Sequence, residues 1–215
     1  NKSISVLSTR TPARATLCFC PPDKFCGFDD KKLDFFVKYG YMILDDCFGK
    51  KTLNQLQKES ELLSYQNAHL THGQRLTDIR GDSTVWINEN CPYGLAYLKD
   101  IERLGLFFNQ MFFTNIKRGE AHYARYPVGH GYQWHRDNPA GRNERIISAV
   151  YYLNNDWGDN DGGEISLVDK TNITHQISPK ADRLVIFDSN LLHQVEKTHR
   201  ERYSIATWLR CDDIL

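Results

Sequence analysis

The chain is expected to adopt an α+β fold, with helices gathered in its first half and a β-sandwich or barrel in its second. Three observations predict this. Apolar residues recur at helical spacing only before residue 113. After Glu120 the texture changes to short apolar runs divided by Gly, Pro, Asn and Asp. With 215 residues, against roughly 100–200 for a typical domain, one core with N-terminal additions is the simplest organisation.

Taken in order, residues 1–28 are rich in Ser, Thr, Pro and Cys with little periodicity, and read as a loose arm preceding a domain over 29–215. Asp29 and Asp30 precede Leu33, Phe36 and Val37, an acidic helix start that Gly40 ends. Tyr41-Met42-Ile43-Leu44 reads as a strand. Residues 50–64 put Leu53, Leu56 and Leu63 on one helical face. The polar stretch 65–79 reads as a mobile loop, and 95–112 as a long helix carrying Leu98, Ile101, Leu104 and Phe108. Strands are then expected at 121–126, 131–136, 146–153, 163–168, 184–187, 191–196 and 202–209. The turn signals between them include Pro127-Val128-Gly129, Asp161-Gly162-Gly163 and Pro179 to Asp182. Helices should pack on one outer sheet.

Lys plus Arg and Asp plus Glu both total 27. A neutral chain without a run of four basic residues has no long-range field for nucleic acid or an anionic membrane, and neither is expected as a partner. No apolar stretch nears the ~18 residues that cross a bilayer. The segment 1–17 lacks an unbroken apolar region, so a soluble, cytoplasmic protein is expected. Cys18, Cys20 and Cys26 cluster, but no paired C-x2-C spacing or fourth ligand makes them a zinc site. Arg80-Gly81-Asp82 matches an adhesion tripeptide and Asn172-Ile173-Thr174 a glycosylation acceptor. Both arise easily by chance.

The chemistry concentrates elsewhere. His135 and Asp137 stand two apart at the end of the run Tyr132-Gln133-Trp134, a spacing that turns both side chains to one face of a strand. His193 follows in the apolar run 191–195. Two imidazoles and one carboxylate form the facial set suited to Fe(II), with open positions for other ligands. A lone His in an apolar strand is more often a core residue, and H-x-D by itself is weak. Arg202 strengthens the set. The polar residues 197–200 read as a hairpin turn, which would put Arg202 on the strand adjacent to His193. A guanidinium there grips a carboxylate bidentately, as Lys cannot.

These residues resemble the 2-oxoglutarate/Fe(II) dioxygenase superfamily and, within it, the prolyl hydroxylase domain family. The likeness runs over about residues 33–209. It is carried by Asp78 to Asp82 with Trp86, Tyr126-Pro127, Gly131-Tyr132 to Asp137-Asn138-Pro139, and Tyr151 to Asn154 with Trp157. Gly162-Gly163, Pro179, Asp182-Arg183-Leu184, His193 with Val195, and Arg202-Tyr203 with Trp208 complete it. The resemblance implies a double-stranded β-helix (jelly-roll) core with two to three helices packed on one sheet. It implies Fe(II) held by His135, Asp137 and His193, with 2-oxoglutarate and O2 as co-substrates and ascorbate as an optional accessory. Arg202 and Tyr152 would bind the 2-oxoglutarate carboxylate, with Tyr126 lining the pocket. Arg80, Asp82, Trp86 and Tyr132 would border the substrate entrance, with the loop 65–77 folding over bound peptide. The implied reaction is prolyl 4-hydroxylation of a protein: a translation factor such as elongation factor Tu in a bacterium, or a transcription factor, with oxygen sensing, in an animal. The animal enzymes carry Thr where this chain has Ala206, so one cofactor-side hydrogen bond is expected to be missing.

Three other readings use the same residues. One is an oxygenase of the superfamily acting on a different amino acid or small molecule. Another is a non-catalytic metal-binding sensor or interaction module. The third is a zinc hydrolase or isomerase on a cupin-like barrel, a chemistry with no use for Arg202.

Overall fold

A computed structural model describes residues 28–68, 79–138 and 142–213. The cysteine cluster, Asp78, Pro139 and most of the expected loop over bound peptide lie outside these residues. Helix α1 spans Asp30–Tyr39. The Asp29 carboxylate caps it by accepting from Lys32 N (2.8 Å), and Gly40, at φ 82°, ends it in the left-handed region. Phe36 is buried, but Val37 is 54% exposed, one position round the helix from the packed face. Strand β1 (Tyr41–Leu44) follows, then α2 (Gly49–Leu62), the two-residue β2 (Gln66–Asn67), β3 (Ser83–Trp86) and α3 (Pro92–Phe112).

The rest is β-structure: β4 (Arg118–Tyr126), β5 (Tyr132–His135), β6 (Arg145–Tyr152), β7 (Ile165–Val168), β8 (Thr174–Ile177), β9 (Leu184–Asp188), β10 (His193–Val195) and β11 (Arg202–Arg210). The strands form a seven-stranded sheet, β1-β9-β6-β11-β4-β3-β2, and a four-stranded sheet, β5-β10-β7-β8. Every strand pair is antiparallel. This is the expected jelly-roll core with its helices. Sequence periodicity did not predict β3 or β8, because each is only four residues long and mixes polar with apolar side chains.

Alternation along the large sheet decides what each face does. Ala121, Tyr123, Ile147, Ala149, Tyr151, Ile205 and Leu209 share one core with Leu56, Tyr97, Ile101, Leu104 and Phe108 of the helices. The even-numbered residues of β4 and β11, with Ser148, Val150 and Tyr152 of β6, point the other way. Two buried carboxylates, remote in sequence, fix the helices to that outer face. Asp182 accepts from Phe48 N, Gly49 N and Tyr151 Oη, each at 2.8 Å. Glu59 accepts from Tyr93 N (2.8 Å), Gly94 N (2.7 Å) and Tyr123 Oη (2.7 Å). Each supplies acceptors and negative charge to a helix N-terminus that lacks a cap of its own.

Candidate metal centre

His135 closes β5 and His193 opens β10, and the two are direct cross-strand partners. Their ring centroids lie 4.2 Å apart. Asp137 sits two residues past the end of β5, so it reaches the imidazoles from a bend rather than from a regular strand. Its Oδ1 is 3.9 Å from His135 Nε2 and its Oδ2 is 3.8 Å from His193 Nε2. One ligand atom from each residue falls within 4.8 Å of the others, the only such group among the described residues.

The tautomers suit a metal. His135 Nδ1 donates to Gln133 O (2.7 Å) and His193 Nδ1 to Leu191 O (2.9 Å), since a carbonyl can only accept. Both Nε2 lone pairs therefore face Asp137. Burial, with His193 beside it, pushes the His135 imidazole down to about 4, so it is neutral and able to ligate at pH 7. Burial alone would raise the Asp137 carboxyl. The two imidazoles and the Ser148 hydroxyl, 2.5 Å from Oδ2, outweigh it and hold the group ionised. Two imidazole nitrogens and one carboxylate fit Fe(II).

Arg202 begins β11 and is 1% exposed. It does not lie on a strand adjacent to His193. Both edges of β10 are taken by β5 and β7, and β11 pairs with β4 and β6, so residues 196–201 carry the chain from one sheet to the other. Arg202 and His193 instead line one cavity of about 450 Å³. The guanidinium lies 5.0 Å from both the Tyr126 and Tyr152 rings, with Nε donating to Gly163 O (2.8 Å) and Nη1 to Ser204 Oγ (3.2 Å). A Cβ on Gly163 would come 2.9 Å from Arg202 Cδ, and its φ of 70° also requires glycine.

No carboxylate among the described residues pairs with Arg202, and the buried Tyr152 Oη has no hydrogen-bond partner. Burial raises both the Tyr126 and Tyr152 phenols, which stay protonated. Tyr152 does not line the cavity itself but packs behind Arg202. A buried cation beside an orphaned hydroxyl is costly alone and is the environment an anionic carboxylate completes. The residues thus fit 2-oxoglutarate as well as iron.

The entrance residues line the same cavity. Arg80 donates to both Asp82 oxygens (2.8 and 3.1 Å) and stacks on Tyr132 at 5.0 Å, while Tyr132 lies parallel to His135 at 3.6 Å. Trp86 is half exposed. Sequence reasoning did not single out Ser148, His122, Ser204 or Arg145, which also line the cavity. Ser148, His122 and Ser204 stand as polar residues within otherwise largely apolar strands, which was their signal in the sequence; Arg145, at the start of β6, had none. A larger open hollow of about 1000 Å³ shares Tyr132 and Val195 with this cavity but holds neither the triad nor Arg202.

Residues 121–210 match the family model for the 2OG-Fe(II) oxygenase superfamily. The chain is similar to human Egl nine homolog 1, 32% identical over 195 residues, covering 80% of this chain but only 44% of that relative. Human prolyl hydroxylase EGLN3 is 30% identical over 186 residues, covering 79% of this chain and 77% of its own length. A solved Trichoplax adhaerens prolyl hydroxylase, in complex with a hypoxia inducible factor oxygen degradation domain peptide fragment, superposes with a TM-score of 0.78 at 25% identity. The match covers 84% of this chain and 88% of that one.

Proposed function

The chain belongs to the 2OG-Fe(II) oxygenase superfamily, in its prolyl hydroxylase family, and from that premise we propose that it hydroxylates a proline in a protein substrate. The observation that carries this is one cavity lined by His135, Asp137, His193 and a buried Arg202 that no carboxylate pairs, with the unpartnered Tyr152 hydroxyl packed beside Arg202. The catalytic unit in this reading is residues 29–215.

His135, Asp137 and His193 hold Fe(II), and Arg202 with Tyr152 grips the distal carboxylate of 2-oxoglutarate. When bound, iron, 2-oxoglutarate and O2 supply the oxidising power to insert oxygen into a C–H bond, releasing succinate and CO2. The chain's own part is geometry. Ser148 orients the Asp137 carboxylate, and the Gln133 and Leu191 carbonyls fix the two imidazoles. Tyr126 and Phe187 are buried against this space and exclude water from it. Arg80, Asp82, Tyr132 and Trp86 border the opening, where the target proline enters.

Proline on a protein, rather than a free amino acid, is supported by the likeness to a peptide-bound prolyl hydroxylase. The partner is a translation factor such as elongation factor Tu in a bacterial host, or a transcription factor in an animal one, where the reaction would serve oxygen sensing. No helix among the described residues is long and apolar enough to cross a membrane. A cytoplasmic setting accords with Cys91 remaining a buried thiol. The test is mass spectrometry of host proteins with and without this gene, followed by a panel of proline peptides incubated with Fe(II) and 2-oxoglutarate. Gain of one oxygen on proline, lost when 2-oxoglutarate is withheld, is expected. Oxygen gained only on another residue type would overturn the prolyl assignment.

A further inference from the structure

His122 lines the cavity yet takes no part in the metal triad or the Arg202 site. It lies in the middle of β4, directly opposite Trp86 on β3 and Ala206 on β11, and is 3% exposed. Its ring packs against Trp86 at 5.1 Å and Trp208 at 5.2 Å. An imidazole so deeply buried is costly unless its nitrogens find partners. One does: Nδ1 lies 3.2 Å from Tyr123 O, which can only accept, so the proton is on Nδ1. Nε2 then carries a lone pair, and no described residue donates to it. Burial holds this histidine down at about 4, so at pH 7 the ring is a neutral acceptor and not a cation.

We propose that His122 Nε2 is a specificity-determining acceptor for the peptide substrate, taking a hydrogen bond from an N–H of the chain that lies across Trp86. This rests on the reading of a protein substrate. Three observations choose peptide over co-substrate. Along β4, Tyr126 at one end packs on Arg202, whereas His122, four residues away on the same face, pairs with the exposed Trp86 of β3. A lone pair repels the anionic carboxylates of 2-oxoglutarate but attracts an amide N–H. On the β11 side its neighbour is Ala206, whose methyl leaves that lone pair uncontested.

The test compares His122→Phe, which keeps an aromatic ring without the acceptor, with His122→Gln, whose amide oxygen can accept. The probe is the proline peptide that the wild type hydroxylates best. In the Phe variant peptide KM should rise about tenfold, the worth of one hydrogen bond, while 2-oxoglutarate KM stays put. The Gln variant should recover most of the loss. An unchanged peptide KM, or a shift in 2-oxoglutarate KM instead, would overturn the proposal. Nitrogen NMR of labelled histidines gives a readout independent of turnover: Nε2 of His122 should be unprotonated in the free protein, and a protonated Nε2 would refute the acceptor role. Absence of any 2-oxoglutarate turnover in the wild type would count against the oxygenase reading, and the NMR result would still decide this one.

Discussion

The two faces of the seven-stranded sheet are made by the same strands but solve opposite problems. On the helix side, Tyr123 and Tyr151 send their hydroxyls to Glu59 and Asp182, which in turn satisfy the N-termini of α3 and α2. Every polar group named on that side ends on a partner in the chain. On the cavity side, Tyr152 Oη is buried without a partner, and His122 Nε2 and the carboxylate-seeking Arg202, both on residues that line the cavity, have bonding capacity left over. One face is complete in the folded chain, and the other is completed by ligands. A pleat of period two is what allows both within single strands, so stability and chemistry should separate under substitution.

The largest effect expected on that separation comes from His193→Ala. Hydroxylation and 2-oxoglutarate turnover should fall below detection and iron binding should be lost. The unfolding free energy of the metal-free protein should fall by only about 1–2 kcal/mol, because the lost imidazole packs on Phe187 but opens onto the cavity. Wild-type turnover in that variant would show the site to be misassigned. The converse substitution is Glu59→Ala, on the other face. Three donors, those of Gly94 and Tyr123 buried and that of Tyr93 partly so, lose their acceptor at roughly 1–3 kcal/mol for each buried one, so a loss on the order of 4 kcal/mol is expected in a urea titration. The folded fraction should bind 2-oxoglutarate as the wild type does. Weakened binding with stability intact would mean the faces are coupled.

A smaller effect is expected from Arg202→Ala, which removes the charge-assisted bonds to the co-substrate. The dissociation constant for 2-oxoglutarate should rise about 100-fold, measured by calorimetry with Mn(II) in place of Fe(II). Arg202→Lys should recover only part of it, since a point charge replaces a fork. An unchanged constant would remove Arg202 from the co-substrate site.

How legible these faces were in the sequence follows from how local their signals are. The helix at 30–39 was readable because its acidic cap, Asp29, and its terminator, Gly40, directly flank it in the chain. His135, Asp137 and His193 were readable because residue type and two-residue spacing carry the chemistry, although Asp137 reaches its partners from beyond the strand. Arg202 was singled out by residue type and spacing and does line the cavity, but its expected place beside His193 was wrong. A polar segment before a strand looks alike whether it makes a hairpin or crosses between sheets, and only the filled edges of β10 decide. Asp182 and Glu59 were beyond reach as helix caps, since their partners lie 133 to 134 and 34 to 35 residues away. His122 was hidden for a related reason: the alternation of β4 is visible, but which face holds a cavity is not.

The smallest effect expected reads the contrast through acid. His122 is buried neutral, with burial the main cause, near 4 in the native state against an ordinary value of 6.5. Between those values the unfolded chain binds a proton that the native chain refuses, so stability rises with pH there. The contribution is fully present above 6.5 and drains away as pH falls toward 4. Going from pH 7 to pH 5 should cost about 2 kcal/mol from this one group. His135 shifts in the same direction, but it remains in both proteins when wild type is compared with His122→Phe, so the difference isolates His122. Urea midpoints of the metal-free proteins at the two pH values should show a smaller acid loss in the variant. Equal losses would mean that water already reaches the ring and that this side of the cavity is wetter than its packing against Trp86 and Trp208 implies.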